Sequence, residues 1–152
     1  METEKTIDVL NTLIIINNDR IEGYETASKE TEELDLKTLF SQFISTSLKC
    51  KHELVMEVIR LGGEEAEGTK VSGKFFRVWM DVKAALTGKD RKAILNSCEY
   101  GEDQALDTYE EALENDLEHL SAEHKTMIYI QKTLIKADHD HVKTLRDALV
   151  DA

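Results

Sequence analysis

The feature that most constrains this chain is the absence of proline from all 152 residues. Proline inside a helix removes a backbone hydrogen bond and clashes with the preceding turn, so a chain without it can form long uninterrupted helices. Apolar residues recur at helical steps of three and four, and helix-favouring Glu, Lys, Leu and Ala are abundant. The longest loop-like stretch is "GGEEAEGTKVSG", residues 62–73. The sequence therefore predicts an all-α protein.

Four long helices and one short helix are predicted. Asp35 is a suitable N-cap for the second helix, and Gly62 with Gly63 is a suitable end for it. The first two helices are closely joined, as are the last two, whereas a long crossover carrying the short helix separates the pairs. Two antiparallel hairpins joined in this way form the ferritin-like four-helix bundle, and we expect one domain over residues 1–152. The approximate bounds are Thr6–Thr31, Asp35–Leu61, Ser72–Leu86 (the short helix), Asp90–Leu113 and Ser121–Leu149.

Charge and apolar content exclude several classes of partner. The net charge is -12 at pH 7, whereas nucleic acids and anionic membranes both select clustered Lys and Arg. The longest aliphatic run, Leu13 to Ile16, is too short to span a bilayer, and the acidic start does not resemble a signal peptide. Cys50 and Cys98 do not make a disulfide framework. We therefore expect a bacterial, cytoplasmic protein that binds neither nucleic acid nor membrane.

Polar residues interrupt the apolar stripe of each long helix near its middle. A compact bundle brings mid-helix positions to one layer, and burying a carboxylate is costly unless a partner offsets its charge. Tyr24 follows Asn17 by seven residues, and Tyr109 follows Glu102 by the same number, which is consistent with two related hairpins. We expect the following residues to converge: Asn17, Ser47, Cys50, Glu102, Asp138 and His141.

The segment "ADHDHVKTLRD", residues 137–147, concentrates histidine and aspartate in the last helix. At about 100° per residue, Asp138 and His141 lie about 60° apart and can share a site, whereas His139 and His141 differ by about 200°. We therefore predict that Asp138 and His141 face the core and that His139 lies at the surface or against a partner. The stripe predicted to face inward is Met127, Leu134, Leu145 and Leu149, and the histidines predicted to be solvated are His52, His119 and His124.

The mid-helix positions resemble an altered di-iron site. Carboxylate-bridged di-iron bundles use one Glu from each of two helices and a Glu-x-x-His motif from each of the other two. Asn and Ser are poor replacements for bridging carboxylates, and a thiol is unusual in an oxygen-rich iron site. A standard di-iron oxidase or ferroxidase centre is therefore not expected. The matching positions are Asn17 and Glu102 for the single carboxylates, with Ser47-x-x-Cys50 and Asp138-x-x-His141 for the motifs.

Close to its full length, the chain resembles an uncharacterised bacterial family in the ferritin-like group, a domain-of-unknown-function four-helix-bundle family. The resemblance implies the bundle fold and a bacterial cytoplasmic setting, and it implies no activity and no catalytic residue. The stretches that carry it are "LNTLIIINNDRIEGYETAS", "LGGEEAEGTKVSGKFFRVWMDVKAALTGKDRKAILNSCEYGED" and "HDHVKTLRD".

Two interpretations of the mid-bundle layer remain open. In the first, it is a buried polar network in which Asn17, Tyr24 or Tyr109 and trapped water satisfy the acids and set the helix register. In the second, it is a metal site of reduced nuclearity for a single iron, manganese or zinc ion. The predicted ligands are Glu102, Asp138 and His141, with Glu99 and Cys50 as additional candidates.

Three functional hypotheses follow. The leading one is a non-enzymatic bundle, at most weakly metal-binding, that forms a homodimer or another homo-oligomer or binds a protein partner. The second is a metal-dependent redox or metal-handling protein that uses the predicted metal site. The third is a stress-associated interaction module that docks through the aromatic short helix, which carries Phe75, Phe76 and Trp79. The sequence shows no nucleophile–base pattern, phosphate loop or zinc-finger spacing, so no catalytic residue is assigned.

Overall fold

The computed structural model describes residues 2–67, 81–84, 91–115, 118 and 120–150. Most of these residues belong to four helices: α1 (Glu2–Glu30), α2 (Leu34–Arg60), α3 (Arg91–Asn115) and α4 (Ala122–Val150). Residues 81–84 are also helical, and the described part of the chain contains no strand. The predicted all-α bundle is therefore confirmed. Within these ranges, no helix has the length and apolar content needed to cross a membrane.

The helices form two hairpins, α1 with α2 and α3 with α4. The hairpins meet with α1 antiparallel to α3, since Asn17 bonds Tyr109 whereas Tyr24, two turns later, bonds Glu102. The direction of the helices is therefore up, down, down, up, as a long crossover between α2 and α3 requires. Of the predicted short helix in that crossover, the aromatic residues Phe75, Phe76 and Trp79 lie outside the described residues.

Helix α2 ends at the predicted glycine pair. Gly62 has a φ of 85°, in the left-handed region that favours glycine. The Gly62 N–H donates to the Ile59 carbonyl and the Gly63 N–H donates to the Val58 carbonyl, both at 2.9 Å. These two bonds make a Schellman cap, which satisfies carbonyls that the last turn leaves open. Gly63 lies close to α1, because a Cβ added there would lie 2.8 Å from Cδ1 of Ile7.

The apolar core consists of two clusters with a polar layer between them. The first cluster joins the start of α1 to the end of α2, and the second lies at the opposite end of the bundle. Members of the first include Leu10, Leu13, Ile14, Leu54, Tyr109 and Ile128. Those of the second include Tyr24, Leu36, Phe40, Phe43, Leu95 and Val82. The buried polar side chains between them include Asn17, Arg20, Ser47, Glu102 and Gln131.

The inward face of α4 differs from the predicted face by one residue. The buried positions are His124, Ile128, Gln131, Ile135 and Val142, whereas the predicted Met127, Leu134 and Leu145 are only partly buried and Leu149 is exposed. Apolar residues stand next to each other at 127–128 and 134–135, so two neighbouring stripes look equally suitable in the sequence. Packing against the other helices selects the second one. The prediction that His141 faces the core is consequently wrong, because its side chain is exposed.

Candidate functional site

A buried arginine on α1 lies at the centre of the polar layer. Arg20 is 0% exposed. Its Nη1 donates to Oγ of Ser47 at 2.5 Å, and its Nη2 donates to Oε1 of Glu102 at 2.6 Å and to Oδ2 of Asp138 at 3.2 Å. One guanidinium group therefore joins side chains from each of the other three helices, and it sets their positions relative to α1.

Tyr24 completes this network one turn after Arg20. Its hydroxyl donates to the same Glu102 oxygen at 2.5 Å, and its ring lies 5.6 Å from Cζ of Arg20, within range of a cation–π interaction. Burial, together with the negative charge of Glu102, raises the pKa of Tyr24. Tyr24 therefore remains a neutral hydrogen-bond donor.

The layer holds one permanent cation between two carboxyl groups. Burial alone lowers the pKa of Arg20, but the charge of Glu102 reverses that effect and raises it above its ordinary value. Burial raises the pKa of Asp138, and Arg20 only partly offsets the increase. Oε2 of Glu102 has no hydrogen-bond partner among the described residues. Removing the cation would leave Glu102 as an unpaired buried charge, which is strongly unfavourable.

A second chain of hydrogen bonds crosses the bundle beside the first. Nδ2 of Asn17 donates to the Tyr109 hydroxyl, which donates to Oε1 of Gln131, both at 2.8 Å. Nε2 of Gln131 in turn donates to the Cys50 carbonyl at 3.1 Å and to Oε1 of Glu53 at 3.0 Å. Each of the four helices contributes to this chain. Hydrogen bonds therefore join all four helices twice, once through Arg20 and once through this chain.

The layer as arranged here does not fit a resident metal ion of the di-iron type. The Arg20 guanidinium occupies the position between Glu102 and Asp138 where an ion would need to lie. Nδ2 of Asn17 donates to the Tyr109 hydroxyl and to the carbonyl of Leu13, whereas Oδ1 is buried with no hydrogen-bond partner among the described residues. Burial raises the pKa of the Cys50 thiol to about 11, so the group is not the thiolate that binds metals. We therefore derive no metal-dependent chemistry from this layer.

The predicted metal ligands, including the two additional candidates, occupy four separate places. Glu102 and Asp138 meet at Arg20. His141 is exposed, and its ring lies edge-on to Phe43 with 6.4 Å between the centroids. Glu99 lies in the seam between α3 and α4, where it forms an ion pair with Arg146. Cys50 belongs to the second hydrogen-bond chain, where its carbonyl accepts from Gln131 and its thiol is hydrogen-bonded to Tyr109.

Arg20 is the central residue of the layer that sequence reasoning missed. It follows Asn17 by three residues and precedes Tyr24 by four, which places all three on one helix face. That spacing was the available signal. A charged residue among inward positions is easily taken for a solvated one, since arginine is almost never fully buried unless it is paired.

Two histidines are less exposed than predicted. The side chain of His139 is only 15% exposed; its Nε2 lies 2.8 Å from Oδ1 of Asp103 and its Nδ1 lies 3.1 Å from Oδ1 of Asp140. His124 is 5% exposed, and its Nε2 lies 2.8 Å from Oε1 of Glu57. Both side chains lie between helices, and each faces a carboxylate that is distant in the sequence, Asp103 for His139 and Glu57 for His124.

An open groove of about 550 Å³ lies between α2 and α4. Met56, Met127 and Ile130 supply its apolar lining. Met56 is 55% exposed and Ile130 is 50% exposed, although both are large apolar residues. The polar groups along the groove include Glu57 and Glu123, so acidic side chains border an apolar floor.

Comparison with known proteins gives a family but no function. A family model described as a domain of unknown function (DUF2383) matches residues 5–115. That segment includes α2, α3 and all but the first three residues of α1, and it contains Arg20, Ser47 and Glu102 of the polar layer but not Asp138. No curated protein matches the chain.

Proposed function

We propose that this chain, which belongs to the family of the domain of unknown function DUF2383, is a non-enzymatic helical-bundle protein that binds a basic amphipathic helix of a protein partner. The observation that carries the proposal is the open apolar groove between α2 and α4. The Arg20 network supports it indirectly, because a charge-paired layer gives the bundle a defined register and provides no reactive group.

The floor of the groove has the pattern that receives a helix. Met127 and Ile130 lie three residues apart on α4 and line the groove together with Met56 of α2, so both helices contribute apolar side chains to its floor. Contiguous exposed apolar surface marks interaction sites, and flexible methionine side chains adapt to different partner shapes. An amphipathic helix docks in such a groove through anchors at similar spacing.

The charges around the groove favour a basic partner. Glu53, Glu57 and Glu123 line it, and the hydrogen bond from Arg60 lowers the pKa of Glu57 and keeps it ionised. The net charge of the chain is -12. Lysine and arginine flanking the apolar face of a helix would complement these carboxylates. A second copy of this chain would instead bring like charges together, which disfavours a homodimer through this face.

The test uses a fluorescein-labelled amphipathic helical peptide made of leucine and lysine as the probe, with the intact protein titrated into it and anisotropy recorded. Ile130→Asp should weaken binding by roughly 10-fold to 100-fold, because burying one such side chain contributes about 1.5–3 kcal/mol. Leu34→Asp is the matched control, since Leu34 is 78% exposed but lies at the other end of α2. Higher salt should weaken binding further.

Equal affinities for the wild-type protein and Ile130→Asp would overturn the proposal, as would equal binding of a leucine–glutamate peptide. Light scattering on the same samples tests self-association. A wild-type dimer that becomes a monomer in Ile130→Asp would assign the groove to a second copy of the chain instead of a basic partner.

A further inference from the structure

We propose that Glu99, Asp103 and His139 form a binding site for one divalent transition-metal ion of the zinc type, in the seam between α3 and α4. The site is separate from the Arg20 layer and from the groove, so it does not depend on the proposed function. It includes one histidine of the "ADHDHV" segment, but not the one that the sequence pattern pointed to.

The three side chains converge from two helices. Glu99 and Asp103 are four residues apart on α3 and share one face, and His139 reaches them from α4. Ligand atoms from all three lie within 4.8 Å of one another. Nε2 of His139 is 2.8 Å from Oδ1 of Asp103 and 3.8 Å from Oε1 of Glu99. Two ligand atoms that each lie about 2.1 Å from a tetrahedral zinc ion are about 3.4 Å from one another. Small side-chain rotations would therefore bring these three ligands to the distances that zinc requires.

Outer groups hold two of these ligands in a binding orientation. Nδ1 of His139 faces Oδ1 of Asp140 at 3.1 Å, and Lys136 donates to the other oxygen of the same carboxylate at 2.9 Å. A carboxylate on Nδ1 directs the Nε2 lone pair towards the metal, as in many zinc sites. Arg146 contacts Oε2 of Glu99, while Oε1 of the same carboxylate is the oxygen that faces His139. These oriented partners distinguish the cluster from a group of solvated acids.

The ligand set selects the type of ion. One imidazole and two carboxylates suit zinc and similar transition metals, whereas magnesium prefers oxygen ligands alone. The carboxylates of Glu99 and Asp103 both face the proposed ion, and Glu99 is also paired with Arg146. The Asp103 side chain is 51% exposed, so an ion can enter from solvent and water can fill the remaining coordination position. Three protein ligands and one water make an open site.

The experiment uses the full chain without an affinity tag, titrated with zinc chloride by calorimetry and analysed for bound metal after dialysis. One zinc ion per chain is expected. His139→Gln and Asp103→Asn should each abolish stoichiometric binding, and Asp140→Asn should weaken the affinity by roughly 10-fold to 100-fold. His141→Gln is the matched control, because this exposed histidine is two residues away and outside the cluster. Magnesium chloride should give no heat of binding.

Circular dichroism of each variant separates loss of the metal site from loss of the fold. The fold should tolerate Asp103→Asn, because the Asp103 side chain is half exposed. Cobalt(II) gives a second readout, because a nitrogen–oxygen ligand set produces visible absorption that His139→Gln should lose. Failure of the wild-type chain to bind zinc would overturn the proposal. Zinc that persists in His139→Gln, or that is lost in Asp138→Asn, would overturn it as well, and the second result would place the ion in the mid-bundle layer.

Discussion

Arg20 holds one positive charge in the middle of the bundle, where di-iron bundles hold metal ions. Its two nitrogens bond Ser47, Glu102 and Asp138, one from each of the other helices. The desolvation of a buried ion pair offsets much of its Coulomb energy, so such a pair adds little net stability. Its geometry is nevertheless demanding, because a change in helix register would leave the charges unpaired. We infer that Arg20 specifies how the helices align.

This interpretation predicts a large effect from removing the guanidinium. Arg20→Met keeps an unbranched apolar side chain but leaves Glu102 without a counter-ion, and it should lower the free energy of unfolding by about 3–5 kcal/mol. Urea denaturation followed by circular dichroism measures it. Adding Glu102→Gln should restore part of the loss, since the fully buried carboxylate is then neutral and only the partly exposed Asp138 lacks its cation. If the free energy of unfolding of Arg20→Met alone lies within about 1 kcal/mol of the wild-type value, Glu102 does not depend on Arg20 as a buried counter-ion.

At the scale of the elements, the end of α2 determines where the chain turns back along α1. The segment after the Schellman cap is held by the side chain of Asn11, which donates to the Glu64 carbonyl at 3.0 Å and accepts from the Ala66 N–H at 2.8 Å. Gly62 supplies the left-handed residue that such a cap requires. The start of the crossover is therefore positioned by backbone geometry and one amide.

Gly62→Ala should lower the free energy of unfolding by about 1–2 kcal/mol, because a Cβ in the left-handed region meets the adjacent carbonyl. Steric contact with other residues does not contribute, since nothing lies within 4 Å of the added Cβ. Gly62→Asn is the control, because asparagine tolerates this conformation better and should lose less. Equal losses in guanidinium denaturation for the two variants would contradict a conformational origin.

At the scale of the whole molecule, the polar layer divides the core into two apolar clusters. Ile128 belongs to one and Ile94 to the other, and the two are 0% and 2% exposed respectively. All four helices contribute to both clusters. We therefore expect the two ends to unfold together, while small changes in packing at one end remain local.

Ile128→Val and Ile94→Val should each lower the free energy of unfolding by about 0.5–1.5 kcal/mol. The double variant should lose the sum to within roughly 0.5 kcal/mol, because residues in separate clusters share no packing partners. Denaturation of the two single variants and the double variant measures this coupling. A coupling energy above about 1 kcal/mol would mean that the polar layer transmits packing changes between the clusters.

Local chemistry was enough to predict the helices and several of their ends. The absence of proline, the apolar periodicity and the Gly62–Gly63 pair all act within a few residues, as helix formation does. Asn17 and Glu102 were correctly placed in a mid-bundle layer, because residues near the middle of packed helices fall at one level. Arg20 was not placed there, since its burial depends on Glu102 and Asp138, which are distant in the sequence.

The sequence by itself therefore determined that the chain is helical, where α2 stops and which residues fall at mid-height. Only the tertiary structure decided how each helix is rotated about its axis. On α4, adjacent apolar residues at 127–128 and 134–135 make two stripes equally suitable locally, and contacts with the other helices choose between them. That rotation exposes His141 and turns His139 towards Glu99 and Asp103. Helical periodicity comes from local backbone bonds, whereas helix rotation is a property of packing between distant segments.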